Sequence, residues 1–100
     1  MEQFEKELSE NVIIFGYTSN CGTCKIGEKM LDIAVSSFSE IEVRKINLSL
    51  FSNVVNAYKV SSIPCFILLK NGELFDQFYA FQSVTYIYKK IDALIKSNTV

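Results

Sequence analysis

Histidine is absent from this chain, proline occurs once, and glycine and cysteine number only four and three. Without histidine, a zinc site would need four ligands from three cysteines and a carboxylate or a second subunit, which is an incomplete signature. So little proline and glycine, with 49% of residues apolar, excludes disorder and low complexity. No internal repeat, linker-like run or block of like charge breaks the pattern. An excess of one charge is missing too, with ten basic residues against eleven acidic ones. A nucleic-acid binder would carry a basic stripe, and none is present. The longest apolar runs, "VIIF" (12–15) and "CFILL" (65–69), are far too short to cross a membrane. The opening "MEQFEKELSE" is acidic and helical in pattern, whereas an export signal begins basic and turns apolar. A cytoplasmic protein with neither nucleic acid nor membrane as partner is the expectation.

What is present suits one domain spanning residues 1–100, able to bury a modest core without metals or several disulfides. Phe4 and Leu8, one turn apart among charges, predict a short first helix. "NVIIFGY" (11–17), rich in β-branched and aromatic residues, predicts a largely buried strand. Ile26, Met30, Ile33, Ala34 and Phe38 then recur at helical spacing and predict a helix of about four turns. "IEVRKIN" (41–47) predicts a second strand, and Phe51, Val54, Val55 and Tyr58 mark a helix within 50–58. After "SSIP" (61–64) come strand "CFILLK" (65–70), the hairpin signal Asn71-Gly72, and strand "ELFDQFYA" (73–80). Val84, Ile87, Tyr88, Ile91 and Ile95 line a last helix with Ser83 as its N-cap. The order is αβαβαββα. Strands linked through helices are expected as parallel neighbours, with an antiparallel hairpin at Asn71-Gly72, in a mixed four-stranded sheet flanked by helices on both faces.

The segment "TSNCGTCKIG" places Cys21 and Cys24 where the first strand turns into the long helix. A helix N-terminus offers unpaired N–H groups and the positive end of a dipole, and both stabilise a thiolate, the reactive form of cysteine. Cys21, at the first turn, is expected as the exposed nucleophile, and Cys24, one turn further and inward, as the resolving thiol. Inert structural cysteines and an incomplete metal site are the competing readings. Cytosolic thiols are mostly kept reduced, and an odd cysteine count leaves one unpaired, so a transient catalytic disulfide is the reading taken. Such exchange needs no cofactor: Cys21 attacks a substrate disulfide, and Cys24 then attacks Cys21 and releases the product.

With "VIIFGYTSNCGTCK" and "SSIPCFILLKNGELFDQF" in view, the chain resembles the thioredoxin family over essentially its whole length, and a thioredoxin-like α/β fold is implied. In that family an Ile-Pro or similar dipeptide precedes the third strand, its peptide bond is cis, and it faces the cysteine pair. Ile63 and Pro64 occupy that place, so the resemblance implies a cis Pro64 and a substrate-binding backbone at Ile63, alongside the site-flanking Asn20, Gly22 and Thr23. It further implies disulfide-containing protein substrates and a flavin-dependent thioredoxin reductase as electron donor.

Several positions depart from the family pattern. Asn20 stands where thioredoxins usually have tryptophan, Thr23 replaces a proline between the cysteines, and Lys29 replaces the helix proline. Phe15 takes the place of the buried aspartate that helps accept the second thiol's proton. A thiol in apolar surroundings keeps a raised pKa, so Cys24 is expected to attack slowly near neutral pH unless Lys45, aligned with a lysine the family holds near the site, assists. The change at Thr23 is expected to make the couple less reducing than a typical thioredoxin, whose potential is about −270 mV. Cys65, directly after Pro64, is expected to pack in the core, with an alternative disulfide or a third metal ligand as its functional options. Ala80 and Phe81 are expected to make the substrate groove narrower and more aromatic, with Tyr17 across it. The function implied is a thiol–disulfide oxidoreductase acting on proteins. The alternative is a non-catalytic thioredoxin-like binding module or redox sensor.

Overall fold

A computed structural model describes residues 10–79 and 83–97. The expected first helix around Phe4 and Leu8, and the groove residues Ala80 and Phe81, lie outside the described residues. Within them run β1 (Asn11–Tyr17), α1 (Gly22–Val35), β2 (Glu42–Asn47), a 3-10 turn (Leu48–Leu50), α2 (Ser52–Ala57), β3 (Cys65–Lys70), β4 (Glu73–Tyr79) and α3 (Val84–Lys96). The four strands form one mixed sheet in the order β2-β1-β3-β4.

β1 and β2 are parallel, as expected for strands joined through α1. β3 corrects the expectation for helix-linked strands: it lies on the far side of β1 and runs antiparallel to it. The reason is length. α2 has six residues, a span of about 9 Å, whereas a return along a six-residue strand such as β2 would need about 20 Å. The chain therefore crosses the end of the sheet and enters β3 at the end where β2 stopped. Asn71 and Gly72, with φ of 54° and 84°, then turn β3 into antiparallel β4, the tight hairpin that an Asn-Gly pair favours. A register shift at Leu68/Leu69 bulges β4.

Alternation along the strands sorts the side chains by face. Ile13 and Phe15 of β1 join Phe66 and Leu68 of β3, Phe78 of β4, Leu31 and Ala34 of α1, and Ile87, Ile91 and Leu94 of α3 in one core. Truncating a residue such as Leu31, which is fully buried, would cost roughly 2–5 kcal/mol. On the opposite face Leu48 packs onto Gly16, where a Cβ would sit 2.7 Å from a Leu48 methyl. That glycine lets the 3-10 turn close directly over β1.

The helix faces differ in part from the periodic pattern. On α1 the buried residues are Cys24, Gly27, Leu31 and Ala34, while Ile26 and Ile33 are each 59% exposed. At Gly27 the helix approaches the sheet so closely that a larger side chain would meet Pro64, Phe15 and Phe66, and Ile26 and Ile33 fall on the flank. The expected helix over 50–58 is split by Phe51 into the 3-10 turn and α2, and α2 has no fully buried residue. On α3, Leu94 rather than Ile95 completes the buried stripe, and half-exposed Tyr88 meets Phe38 with ring centroids 4.8 Å apart. Ser83 caps α3, its Oγ accepting from the Tyr86 N–H at 3.0 Å.

Candidate active site

The C-terminal ends of β1 and β2, the start of α1 and the start of β3 meet at one end of the sheet. Cys21 is the N-cap of α1, with extended backbone (φ −131°, ψ 103°), so the helix begins at Gly22. The Cys21 Sγ accepts the Cys24 N–H at 3.1 Å and lies 3.4 Å from the Thr23 Oγ1. Cys21 and Cys24 are joined as a disulfide with their Cα atoms 5.2 Å apart. The two sulfurs differ in access. Cys21 is half-buried, whereas Cys24 is 3% exposed and belongs to the core. Asn20, Gly22 and Thr23 are exposed around Cys21.

The Ile63–Pro64 peptide bond is cis, and Pro64 is buried. Gly27 brings the helix against it: a Cβ at Gly27 would lie 3.2 Å from Pro64 Cγ and 3.5 Å from Phe15 and Phe66 ring carbons. The proline and the cysteine helix are thus in contact through a glycine that sequence reasoning missed. Its signal was an isolated glycine in a helix interior, which a close packing contact explains. Beside Ile63 an open groove of about 350 Å³ is lined by Thr18, Leu48, Val55, Val60 and Ser61.

Phe15 packs edge-on to Phe66, with centroids 5.2 Å apart, and stacks on Tyr17 at 6.2 Å. Its side chain offers no proton acceptor beneath Cys24. Lys45 pairs with Phe15 across the parallel register of β1 and β2. Its Nζ donates to Asp32 Oδ1 and to Glu28 Oε2, each at 2.9 Å. These bonds, to Asp32 first and Glu28 second, hold the Lys45 ammonium above its ordinary pKa range. A smaller cavity of about 140 Å³ next to the disulfide is walled by Cys21, Cys24, Tyr17, Lys25 and Glu28 among others. Glu28 is a second residue that sequence reasoning passed over, because an exposed glutamate on a helix is ordinarily just solvated.

Cys65 is fully buried and pairs in register with Gly16, so it faces the Leu48 side of the sheet rather than the Phe15 and Cys24 side. Its Sγ accepts from Gln77 Nε2 at 3.8 Å, and Gln77 also donates to the Tyr58 carbonyl at 2.9 Å. Burial pushes the Cys65 thiol up to about 11, with the Gln77 contact opposing. This geometry supports the packing role for Cys65 and separates it from the dithiol pair.

A cysteine pair at a helix N-terminus, set against a cis proline on a mixed four-stranded sheet flanked, among the described residues, by three helices, defines a thioredoxin-like redox protein. The thioredoxin family model matches residues 1–93. The chain is 34% identical over 79 residues to the thioredoxin-like protein YusE of Bacillus subtilis (strain 168), an alignment spanning 79% of this chain and 74% of that one. Its fold is similar to a mutant thioredoxin from Halobacterium salinarum NRC-1, with a TM-score of 0.80 and 20% identity over 91% of this chain and 80% of the other. It is also similar to mitochondrial thioredoxin 3 from Saccharomyces cerevisiae in its oxidized form, with a TM-score of 0.79 and 21% identity over 93% and 89% of the two chains. The chain belongs to the thioredoxin family. Thiol–disulfide redox chemistry at a close cysteine pair, acting on disulfide-containing substrates, is the function this membership supports.

Proposed function

We propose that this protein is a cytoplasmic oxidoreductase that reduces or exchanges disulfides in other proteins through the Cys21–Cys24 couple. The observation that carries the reading is the asymmetry of the pair, with an accessible Cys21 capping α1 and a Cys24 buried directly behind it. In the reduced protein the Cys21 thiolate attacks one sulfur of a substrate disulfide, and the leaving sulfur takes a proton from solvent. Cys24 then loses its proton and attacks the Cys21 sulfur. A Cys21–Cys24 bond forms, the mixed disulfide breaks, and two electrons have passed to the substrate. Because the second attack is intramolecular, proximity favours it over capture by an outside thiol.

The Cys24 N–H and the Thr23 hydroxyl are the groups that would steady the Cys21 thiolate, together with the positive end of α1. The substrate segment is proposed to lie across the groove beside Ile63, pairing with that backbone while Asn20, Gly22 and Thr23 contact its flanks. The apolar floor of Leu48, Val55 and Val60 favours a substrate with apolar residues near its cysteine. The dithiol would be restored by a flavin-dependent thioredoxin reductase, the donor used by the family. A cytoplasmic setting agrees with the free thiol of Cys65.

Cys24→Ser protein incubated with a cell extract tests the reading. It should accumulate disulfide-linked adducts through Cys21 that dithiothreitol releases and that Cys21→Ser/Cys24→Ser lacks. No disulfide-linked adducts in Cys24→Ser, with partners still retained non-covalently by both variants, would instead support a binding-only module.

A further inference from the structure

The exchange proposed above requires Cys24 to shed a proton in a site where the neighbouring strand residue, Phe15, is a buried hydrocarbon. The cavity of about 140 Å³ beside the pair has Tyr17, Thr18, Lys25 and Glu28 on its walls with the two cysteines. Hydroxyls of threonine and tyrosine are poor proton acceptors at neutral pH, and a lysine ammonium has no acceptor site. Glu28 is the carboxylate on that wall. It stands four residues after Cys24 on α1, a spacing that puts side chains on one face with Cβ atoms about 5–6 Å apart. Water takes up about 30 Å³ per molecule in the liquid, so the cavity has room for a water between thiol and carboxylate.

Two carboxylates share the Lys45 ammonium, each at 2.9 Å, but they differ in where they sit. Glu28 is on the cavity wall and Asp32, one turn further along α1, is not. A carboxylate has about four acceptor positions, so the bond to Lys45 leaves Glu28 free to receive a proton. The charged and titratable groups around Glu28 are Lys25 and Asp32 on α1, Lys45 on β2, Tyr17 on β1 and the two thiols.

Resting on the exchange reading, we infer that Glu28 accepts the Cys24 proton through cavity water during the resolving step, with Lys45 as the residue that positions it. The Cys24 thiol gives its proton to water, and water gives one to the Glu28 carboxylate. The resulting Cys24 thiolate attacks Cys21 Sγ, the Cys21–Cys24 bond forms, and the bond from Cys21 to the substrate sulfur breaks. The departing substrate thiolate is protonated from Glu28 or solvent, which returns Glu28 to its ionised form. Re-reduction runs the same path backwards: the incoming thiol gives up its proton to Glu28 as it attacks Cys21 Sγ, and Glu28 returns that proton through water to the departing Cys24 thiolate.

The test compares wild type, Glu28→Gln and Asp32→Asn in reduction of a disulfide-linked fluorescent peptide, with dithiothreitol as donor, from pH 6 to pH 9. Alkylation of Cys21 by iodoacetamide serves as a separate readout of the first step. Glu28→Gln should turn over about tenfold more slowly than wild type near pH 7, less than the roughly hundredfold or more usual for general-base catalysis because the site is open to solvent. The deficit should shrink towards pH 9, where hydroxide and buffer take over the proton. Cys21 alkylation should be unchanged, and Asp32→Asn should behave as wild type. Lys45→Met, which leaves the carboxylate but frees it, should lose less than Glu28→Gln. The assignment is overturned if Glu28→Gln matches wild type at every pH, if its deficit does not vary with pH, or if Asp32→Asn loses as much. Failure of the exchange reading itself looks different: wild type would then show no turnover above the dithiothreitol background.

Discussion

Gly27 and Pro64 touch across the interface between the cysteine helix and the sheet, so closely that a Cβ on Gly27 would stand 3.2 Å from Pro64 Cγ. That contact sets how near the dithiol lies to the cis peptide. Gly27→Leu should therefore destabilise the fold by about 1–3 kcal/mol through overpacking, although leucine is the better helix former by nearly 1 kcal/mol. Urea denaturation of the oxidised protein measures it. Equal or greater stability would show that the helix can move away from Pro64 without penalty.

Thr23 places a hydroxyl 3.4 Å from the Cys21 sulfur, where a proline would supply none. Donors to a thiolate stabilise the reduced form, and a stabilised reduced form makes a couple more oxidising. The Cys21–Cys24 couple should lie above the thioredoxin value of about −270 mV, and Thr23→Pro should move it lower. Equilibration with glutathione or dithiothreitol buffers gives the potential. A wild-type value at or below that mark contradicts the account.

Cys65 gives a pH window. Its folded pKa is raised from an ordinary 9.0 to about 11. A raised thiol pKa means that the unfolded chain ionises first, so the stability associated with this group is intact below pH 9 and is lost as pH climbs towards 11. In the oxidised protein, wild type should lose more stability over that interval than Cys65→Ala, at a rate up to about 1.4 kcal/mol per pH unit. Parallel stability curves for the two proteins would contradict the burial assigned to Cys65.

Lys70 ties the end of β3 to the end of α3. Its buried Nζ donates to Asn11 Oδ1 at 2.9 Å and to the Leu94 carbonyl at 3.0 Å, and it meets Glu10 at 3.1 Å. A cation on the last carbonyls of a helix is favourable, and hydrogen bonds from charged groups are among the stronger ones. Lys70→Met should cost about 2–3 kcal/mol in thermal or urea unfolding, with the dithiol's reactivity unaltered. A loss within about 0.5 kcal/mol, typical of an ordinary surface substitution, would show the clamp to be dispensable.

Local signals carried most of the fold. β1 and β3 announced themselves by apolar, β-branched runs, the hairpin by Asn71-Gly72, and α3 by Ser83 and its stripe. The sense of β3 was not legible, because it depends on how far α2 carries the chain in space rather than on residue type. The contact stripe of α1 was misread in part because hydrophobicity pointed to Ile26 and Ile33, while closeness to Pro64 and Phe15 selected Gly27. At the site, Cys21 and Cys24 were plain from their spacing. Glu28 was hidden, since only the cavity and the register pairing of Phe15 with Lys45 set it apart from other exposed acids.

The most direct measurement of the central claim is multiple-turnover reduction of a disulfide-linked fluorescent peptide by purified protein, with dithiothreitol as the electron donor. Wild type should accelerate the reaction over dithiothreitol alone, Cys21→Ser should abolish the acceleration, and pre-reduced Cys24→Ser, mixed with the peptide without dithiothreitol, should stop after capturing one equivalent as a mixed disulfide. Acceleration that survives Cys21→Ser, or none in wild type, would contradict the account.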